Sequence, residues 1–104
     1  MTNQLFEVGR LTMTPNLPRE ILEVLTEIMP EATVDDAMAS LMRPLSQHCS
    51  GDWGTVDAED WEANNAALTD GTRLLSAYMV HGVKVWIITE ADRSVTTLLL
   101  PRDY

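Results

Sequence analysis

The sequence has a single cysteine, few basic residues and no long apolar run. With Cys49 alone, no disulfide can form within the chain, and a reducing compartment is indicated. No apolar stretch approaches the roughly 20 residues needed to cross a bilayer, and no signal-peptide pattern opens the chain. We therefore expect a cytoplasmic protein that has no membrane partner.

The length and composition are those of one small globular domain. The chain has 104 residues, of which 45% are hydrophobic and 22% charged, too apolar for a disordered segment. A chain of this size buries enough surface for a core without disulfides or metals. We expect residues 1–104 to form a single domain.

The charge is strongly negative and unevenly distributed. The formal net charge is −9, and the segment from Glu20 to Glu62 holds eleven acidic residues against one basic residue, Arg43. Such a segment repels phosphate backbones, which argues against direct nucleic-acid binding, and it attracts basic protein surfaces. The plainer interpretation, which we favour, is that the acids keep a small domain soluble.

Periodicity predicts a strand and two helices in the first half of the chain. Loose alternation over Leu5–Thr14 favours a strand. Apolar residues at three- and four-residue steps predict a helix that begins near Asn16 and ends at Pro30. A capping box at Thr33 begins a second helix, which Pro44 should kink or end.

The second half predicts one more helix and a meander of strands. Gln47–Thr55, with two glycines, reads as a loop, and Asp57 can cap a surface helix that runs to about Leu68. Three β-rich runs follow, at Arg73–Val80, Val83–Thr89 and Val95–Leu100, and His81-Gly82 between the first two predicts a two-residue hairpin turn. The predicted fold class is α+β, an antiparallel sheet of the three C-terminal strands plus a probable N-terminal strand, with two to three helices packed on one face.

The central C-terminal strand is apolar on both faces. Trp86 and Ile88 share one face and Val85 the other, so either another element covers the second face or that face is an interface. Tyr78 is expected to pair with Trp86 across the hairpin. A structural homodimer is therefore one hypothesis for this chain.

The predicted loop after residue 47 carries the first candidate chemistry. His48, Cys49 and Asp52 bring an imidazole, a thiol and a carboxylate close together in sequence, as cysteine hydrolases require in space. A structural turn is the favoured alternative, in which Trp53 fills the edge of the core and Asp52 bonds loop N–H groups.

The hairpin loop 89–94 carries the second candidate set. Glu90 and Asp92 could perform acid–base chemistry or hold a cation, whereas a turn with Asp92 or Arg93 bonded across it is the favoured alternative. If the two loops converge, His48 and Asp52 could act with these residues in a small hydrolase or metal-assisted enzyme. No metal-ligand spacing is present, so no metal or other cofactor is expected.

Five motifs stand out in the sequence: Leu11–Pro15, Ser50–Gly54, Arg73–Tyr78, Val85–Ser94 and Thr97–Tyr104. Together they resemble a family of small bacterial proteins that are carried on plasmids and integrated mobile elements. The resemblance implies an accessory protein of a mobile element, and it brings no activity, cofactor or catalytic residue with it.

The leading functional hypothesis is a non-enzymatic protein-binding module whose partner has a basic surface. Small acidic inhibitors of host defence are common on mobile elements, so the acids could mimic DNA and occupy a basic groove of a nucleic-acid-handling system. The expected partner-binding residues are Asp52, Trp53, Glu59, Asp60 and Glu62.

Overall fold

The computed structural model describes residues 4–104, in which four α-helices and four strands lie. Their order is β1 (Arg10–Met13), α1 (Asn16–Ile28), α2 (Val34–Ser40), α3 (Met42–Cys49), α4 (Ala58–Asp70), β2 (Leu74–Val80), β3 (Val83–Thr89) and β4 (Val95–Leu99), followed by a 3-10 helix at Pro101–Asp103. The predicted α+β class is confirmed. Within the described residues, no helix has the length and apolarity to span a membrane.

The four strands form one mixed sheet in the order β1-β4-β3-β2. The three C-terminal strands are antiparallel, as predicted, whereas β1 lies parallel to β4. β1 is shorter than the predicted strand. Gly9, at φ +64°, lies against the backbone of Ser94, and pairing with β4 begins only at Arg10, whose N–H donates to the Ser94 carbonyl.

The β2–β3 hairpin closes through the two-residue turn that the sequence predicts. His81 and Gly82 have φ of 51° and 81°, and Val80 pairs directly with Val83. Positive φ at both central residues is the signature of a type I′ turn, whose twist matches that of the strands.

The same turn fixes a register in which the predicted Tyr78–Trp86 pair is wrong. Tyr78 lies opposite Val85, and Trp86 lies opposite Ala77. Because side chains alternate between faces, Tyr78 and Trp86 point to opposite sides of the sheet.

The main core lies between the helices and one face of the sheet. The apolar stripe of α1, represented by Leu17 and Ile21, is fully buried and packs in one cluster with Val85 and Ile87 of β3. Each such side chain contributes about 2 kcal/mol through removal from water. The sequence periodicity of α1 therefore identifies the packed face correctly.

The predicted second helix is two helices. α2 begins with the predicted capping box, in which Thr33 and Asp36 bond reciprocally, and α3 begins after Leu41. Pro44 is the third residue of α3, where a missing N–H has no acceptor to lose. The proline thus lies in the first turn of a helix that follows a break, instead of kinking a continuous helix.

The C-terminus lies against the second face of the sheet. The ring of Tyr104 packs edge-on to Trp86, with centroids 5.7 Å apart. Arg73 donates a hydrogen bond of 2.6 Å to the Tyr104 hydroxyl. These contacts partly cover the apolar second face of β3 that the sequence indicates.

Candidate functional site

His48 lies in a helix and not in the predicted loop. α3 extends through Cys49, so Gln47 to Cys49 are helical and the turn begins only at residue 50. The His48 side chain is fully buried against the sheet. Its Nδ1 lies 2.5 Å from Ser76 Oγ, and its Nε2 lies 2.8 Å from Thr89 Oγ1.

These contacts belong to a buried chain of hydrogen bonds that ends on a backbone carbonyl. Thr96 donates its hydroxyl to the Val8 carbonyl at 2.8 Å, so Thr89 must donate to Thr96. Thr89 then accepts from Nε2–H of His48, and Nδ1 accepts from the Ser76 hydroxyl. The chain defines one neutral tautomer of His48.

The surroundings of His48 disfavour its charged form. Burial, and secondarily the positive charge of Arg93, lower the pKa of His48 from 6.5 to about 4. The Phe6 and Trp53 rings pack against the imidazole, with centroids 5.3 and 5.6 Å away. His48 is therefore a neutral, satisfied core residue at neutral pH.

Cys49 is buried and has no activating base. Only 8% of the residue is exposed, and burial raises the pKa of its thiol. Both nitrogens of the neighbouring His48 are engaged by Ser76 and Thr89. The predicted thiol–imidazole pair of a cysteine hydrolase is not assembled.

Asp52 organises a turn, as the alternative interpretation predicts. Its carboxylate accepts from Gln47 Nε2 at 2.9 Å and from the Gly54 N–H at 3.2 Å. Trp53, the next residue, is fully buried and donates its indole N–H to Asn65. Trp53 is thus a core residue and cannot be the partner contact that the sequence predicts.

The second loop is a turn held by backbone contacts. Asp92 accepts from the hydroxyl and N–H of Ser94, which lower the pKa of its carboxyl in that order. The Arg93 guanidinium donates to the carbonyls of Thr72 and Ala67, at 2.6 and 3.0 Å. Arg93 thereby binds the C-terminal end of α4, and the contacts of Asp92 and Arg93 within the loop agree with the favoured turn interpretation.

His48 and Arg93, one from each predicted loop, both contact the ring of Phe6, a residue that the sequence analysis does not single out. The Arg93 guanidinium carbon lies 5.8 Å from the Phe6 centroid, and His48 packs on the same ring. Between residues 4 and 104 no hydrogen bond joins any two of the five candidate side chains His48, Asp52, Glu90, Asp92 and Arg93. Their arrangement provides no paired acid and base.

Metal-ligating side chains do not cluster either. Across the described part of the chain, no group of three or more histidine, cysteine, aspartate or glutamate residues is placed to hold an ion. Of the two histidines, His48 is occupied in the core, and His81 Nε2 lies 3.0 Å from Ser40 Oγ on the surface.

An apolar groove lies at the edge of the sheet, beneath the α2–α3 junction, and we call it the β1 groove. Its volume is about 470 Å³. The residues that line it are Leu11, Thr12, Met13, Asp35, Met38, Ala39, Leu41, Met42, Leu45 and Leu98. Met38 and Met42 belong to the second predicted helix, and Met42 is 61% exposed in the groove.

Most acids of the Glu20–Glu62 segment are exposed and unpaired. Glu20 accepts from Arg102 at 2.8 Å in the one salt bridge that residues 4–104 contain. Asp36, Asp52 and Asp57 serve caps and turns. Seven others are exposed and make no side-chain hydrogen bond in the described chain: Glu23, Glu27, Glu31, Asp35, Glu59, Asp60 and Glu62.

Comparison of the chain with known proteins finds no matching family model, no similar curated protein and no similar solved structure.

Proposed function

We propose that this chain is a non-enzymatic protein-binding module that engages a basic surface of a partner protein. The observation that carries the proposal is the set of seven exposed acids without an ion-pair partner in the described chain. Helix caps, turns and the salt bridge with Arg102 account for the other acids, whereas within residues 4–104 these seven make no side-chain hydrogen bond or salt bridge. Three of them, Asp35, Glu59 and Asp60, lie in the first turns of α2 and α4, where they also favour the helix N-terminus.

The seven acids fall into two groups on different elements. Glu23, Glu27, Glu31 and Asp35 lie on α1, on α2 and in the connection between them. Glu59, Asp60 and Glu62 lie in the first half of α4 and are exposed. The three-residue step from Glu59 to Glu62 places these two carboxylates side by side on one face, whereas Asp60 lies on the side of the helix that also carries Asn64.

Uncompensated carboxylates favour a cationic partner for a physical reason. Their fields add over a surface and steer an oppositely charged surface into contact, with rates that fall steeply as salt rises. The resemblance to mobile-element proteins supports a cytoplasmic target among nucleic-acid-handling proteins, whose phosphate-binding grooves carry the required charge. In that setting the chain would act as a DNA-mimic inhibitor, with the exposed Asp52 as a further contact.

The test is capture of host proteins on immobilised protein at low and high salt, followed by direct affinity measurement with the captured protein. We expect a nucleic-acid-handling protein to be retained at low salt only. Neutralising the α4 group (Glu59→Gln, Asp60→Asn, Glu62→Gln) should weaken its binding at least tenfold.

The matched control neutralises exposed acids outside the segment, Asp70→Asn and Glu90→Gln, which should leave the affinity unchanged. A partner that binds equally at low and high salt, or equally to the neutralised and unaltered α4 groups, would contradict a role for these acids. A second variant, in which Glu23, Glu27, Glu31 and Asp35 are neutralised together, tells whether this group or the α4 group makes the contact.

A further inference from the structure

Within residues 4–104, no backbone group pairs with the outer edge of β1. Arg10 N–H donates to the Ser94 carbonyl and Thr14 N–H donates to the Leu98 carbonyl, so the even-numbered residues of this strand point toward β4. The N–H and C=O groups of Leu11 and Met13 consequently point away from the sheet. β1 is an edge strand, and another strand can pair with it there.

The β1 groove adjoins this open edge. Three consecutive residues of β1 line it on one side and the α2–α3 junction lines it on the other. Leu11, Met38 and Met42 are 50%, 41% and 61% exposed, and Asp35 is the one charged residue in the lining. A strand added at this edge would cover apolar surface as well as satisfy backbone groups.

The same edge carries charges that complement each other. Arg10 is exposed, and in residues 4–104 its side chain has no ion-pair partner. At the other end of β1, the hydroxyl of Thr14 and the amide of Asn16 donate to the Asp103 carboxylate at 3.0 and 3.1 Å. One end of the strand is therefore cationic and the other has an anchored anion.

We propose that a second copy of this chain occupies the edge, with the two β1 strands antiparallel about a two-fold axis at Thr12. Leu11 then lies opposite Met13 of the second copy, and each such pair exchanges two backbone hydrogen bonds, because these are the residues whose groups point outward. The two grooves meet over the junction and form one apolar interior.

This register also pairs the charges. Arg10 lies opposite Thr14 of the second copy, on the sheet face toward which both side chains point. The carboxylate that Thr14 holds, that of Asp103, then lies within reach of the guanidinium. The symmetry repeats this ion pair at both ends, which favours the antiparallel over the parallel arrangement. The inference is independent of the function proposed above.

The test combines solution mass with a positional cross-link. Sedimentation equilibrium should give the mass of a dimer that dissociates on dilution. In a Cys49→Ala background, Thr12→Cys should form a disulfide-linked dimer under mild oxidation, because opposed side chains of a non-hydrogen-bonded pair are close enough to bridge. Met79→Cys, on β2 and 56% exposed, is the matched control and should stay monomeric on denaturing gels.

Leu11→Lys places a charge in the joined apolar interior and should shift the equilibrium at least tenfold toward monomer. Circular dichroism checks that this variant, altered at a half-exposed position, is folded. A monomeric mass at millimolar concentration overturns the proposal, as does a dimer that cross-links through Met79→Cys and not through Thr12→Cys. A monomer whose Met38 and Met42 methyl resonances shift on adding an apolar peptide would assign the groove to another protein and also overturn it.

Discussion

The side-chain amide of Asn64 on α4 pairs with both backbone groups of Leu75 on β2. Its Nδ2 donates to the Leu75 carbonyl at 2.7 Å, and the Leu75 N–H donates to its Oδ1 at 3.1 Å. Asn64 is 5% exposed, so these bonds lie out of water. The amide takes the place of a neighbouring strand and fastens α4 to the sheet.

Replacing this amide should loosen the edge of β2. Asn64→Ala removes two hydrogen bonds and leaves the Leu75 groups without partners, at an expected cost of about 2–4 kcal/mol in unfolding free energy. Urea denaturation measures that cost, and the Leu75 amide should exchange its hydrogen faster. Thr69→Ala, at an exposed position of the same helix, is the control. Equal stabilities of the two variants would show that the pairing contributes little.

Acid should destabilise the fold through His48. Its pKa is about 4 in the folded chain and 6.5 for an ordinary histidine, so below pH 6.5 the unfolded chain binds a proton that the folded chain does not. Stability is then fully present above pH 6.5 and decreases as the pH falls toward 4, by about 3 kcal/mol in total at about 1.4 kcal/mol per pKa unit.

Urea midpoints between pH 7 and pH 5 isolate this effect, since carboxylates titrate mostly below that range. His48→Gln should be less stable at pH 7 and should lose the dependence on pH. His81→Asn removes the surface histidine and should keep the pH dependence of stability. Asparagine is the chosen replacement because it tolerates the positive φ at that position. An unchanged slope in His48→Gln would assign the pH dependence to other groups.

Gly54 should tolerate no side chain. It has φ +75°, and an added Cβ would overlap the Ala77 carbonyl oxygen and the Tyr78 ring. Gly71, at φ +74°, has nothing within 4 Å of the same position. Gly71→Ala should cost about 1 kcal/mol for its backbone conformation alone, and Gly54→Ala several times more. Thermal denaturation of the pair separates steric overlap from backbone strain. Equal losses would mean that the Ala77 strand moves to make room.

The thiol of Cys49 should react only after unfolding. Burial limits access and raises the pKa of the thiol, so little reactive thiolate is present at pH 7. We expect its reaction with a disulfide reagent to be more than a hundredfold slower in buffer than in denaturant. The exposed thiol of Met79→Cys, in the Cys49→Ala background, is the reference. If the Cys49 thiol and the Met79→Cys thiol reacted at comparable rates in the folded proteins, Cys49 would lie at the surface.

Sequence periodicity predicts the local elements of this fold well because they depend on local spacing. The α1 stripe, the Thr33 capping box and the His81–Gly82 turn all follow from neighbours a few residues apart. Proline chemistry also places a helix break near Pro44, although the break precedes the proline, at Leu41, and Pro44 lies in the first turn of α3.

The surroundings of the candidate residues in the two predicted loops depend on distant contacts, which sequence spacing does not give. Nothing near His48 in sequence shows that Ser76 and Thr89 will satisfy both of its nitrogens, because strand register brings them there. The inward positions of these two hydroxyls on predicted strands are the signal that could have indicated a buried polar partner. Likewise, only the assembled sheet shows that Phe6 lies between His48 and Arg93.

The two edges of the sheet differ in whether a further strand can pair with them. Beyond the Asn64 amide, the Thr55 N–H donates to the Ala77 carbonyl at 2.7 Å and the Ala77 N–H donates to the Trp53 carbonyl, so the β2 edge is occupied along that stretch. No strand of the described chain pairs with the outer edge of β1. A sheet with one occupied and one open edge can accept a further strand on one side only. Pairing of two β1 strands covers that side in both copies. Such a chain can form a closed pair, whereas an open-ended fibre would require a second free edge.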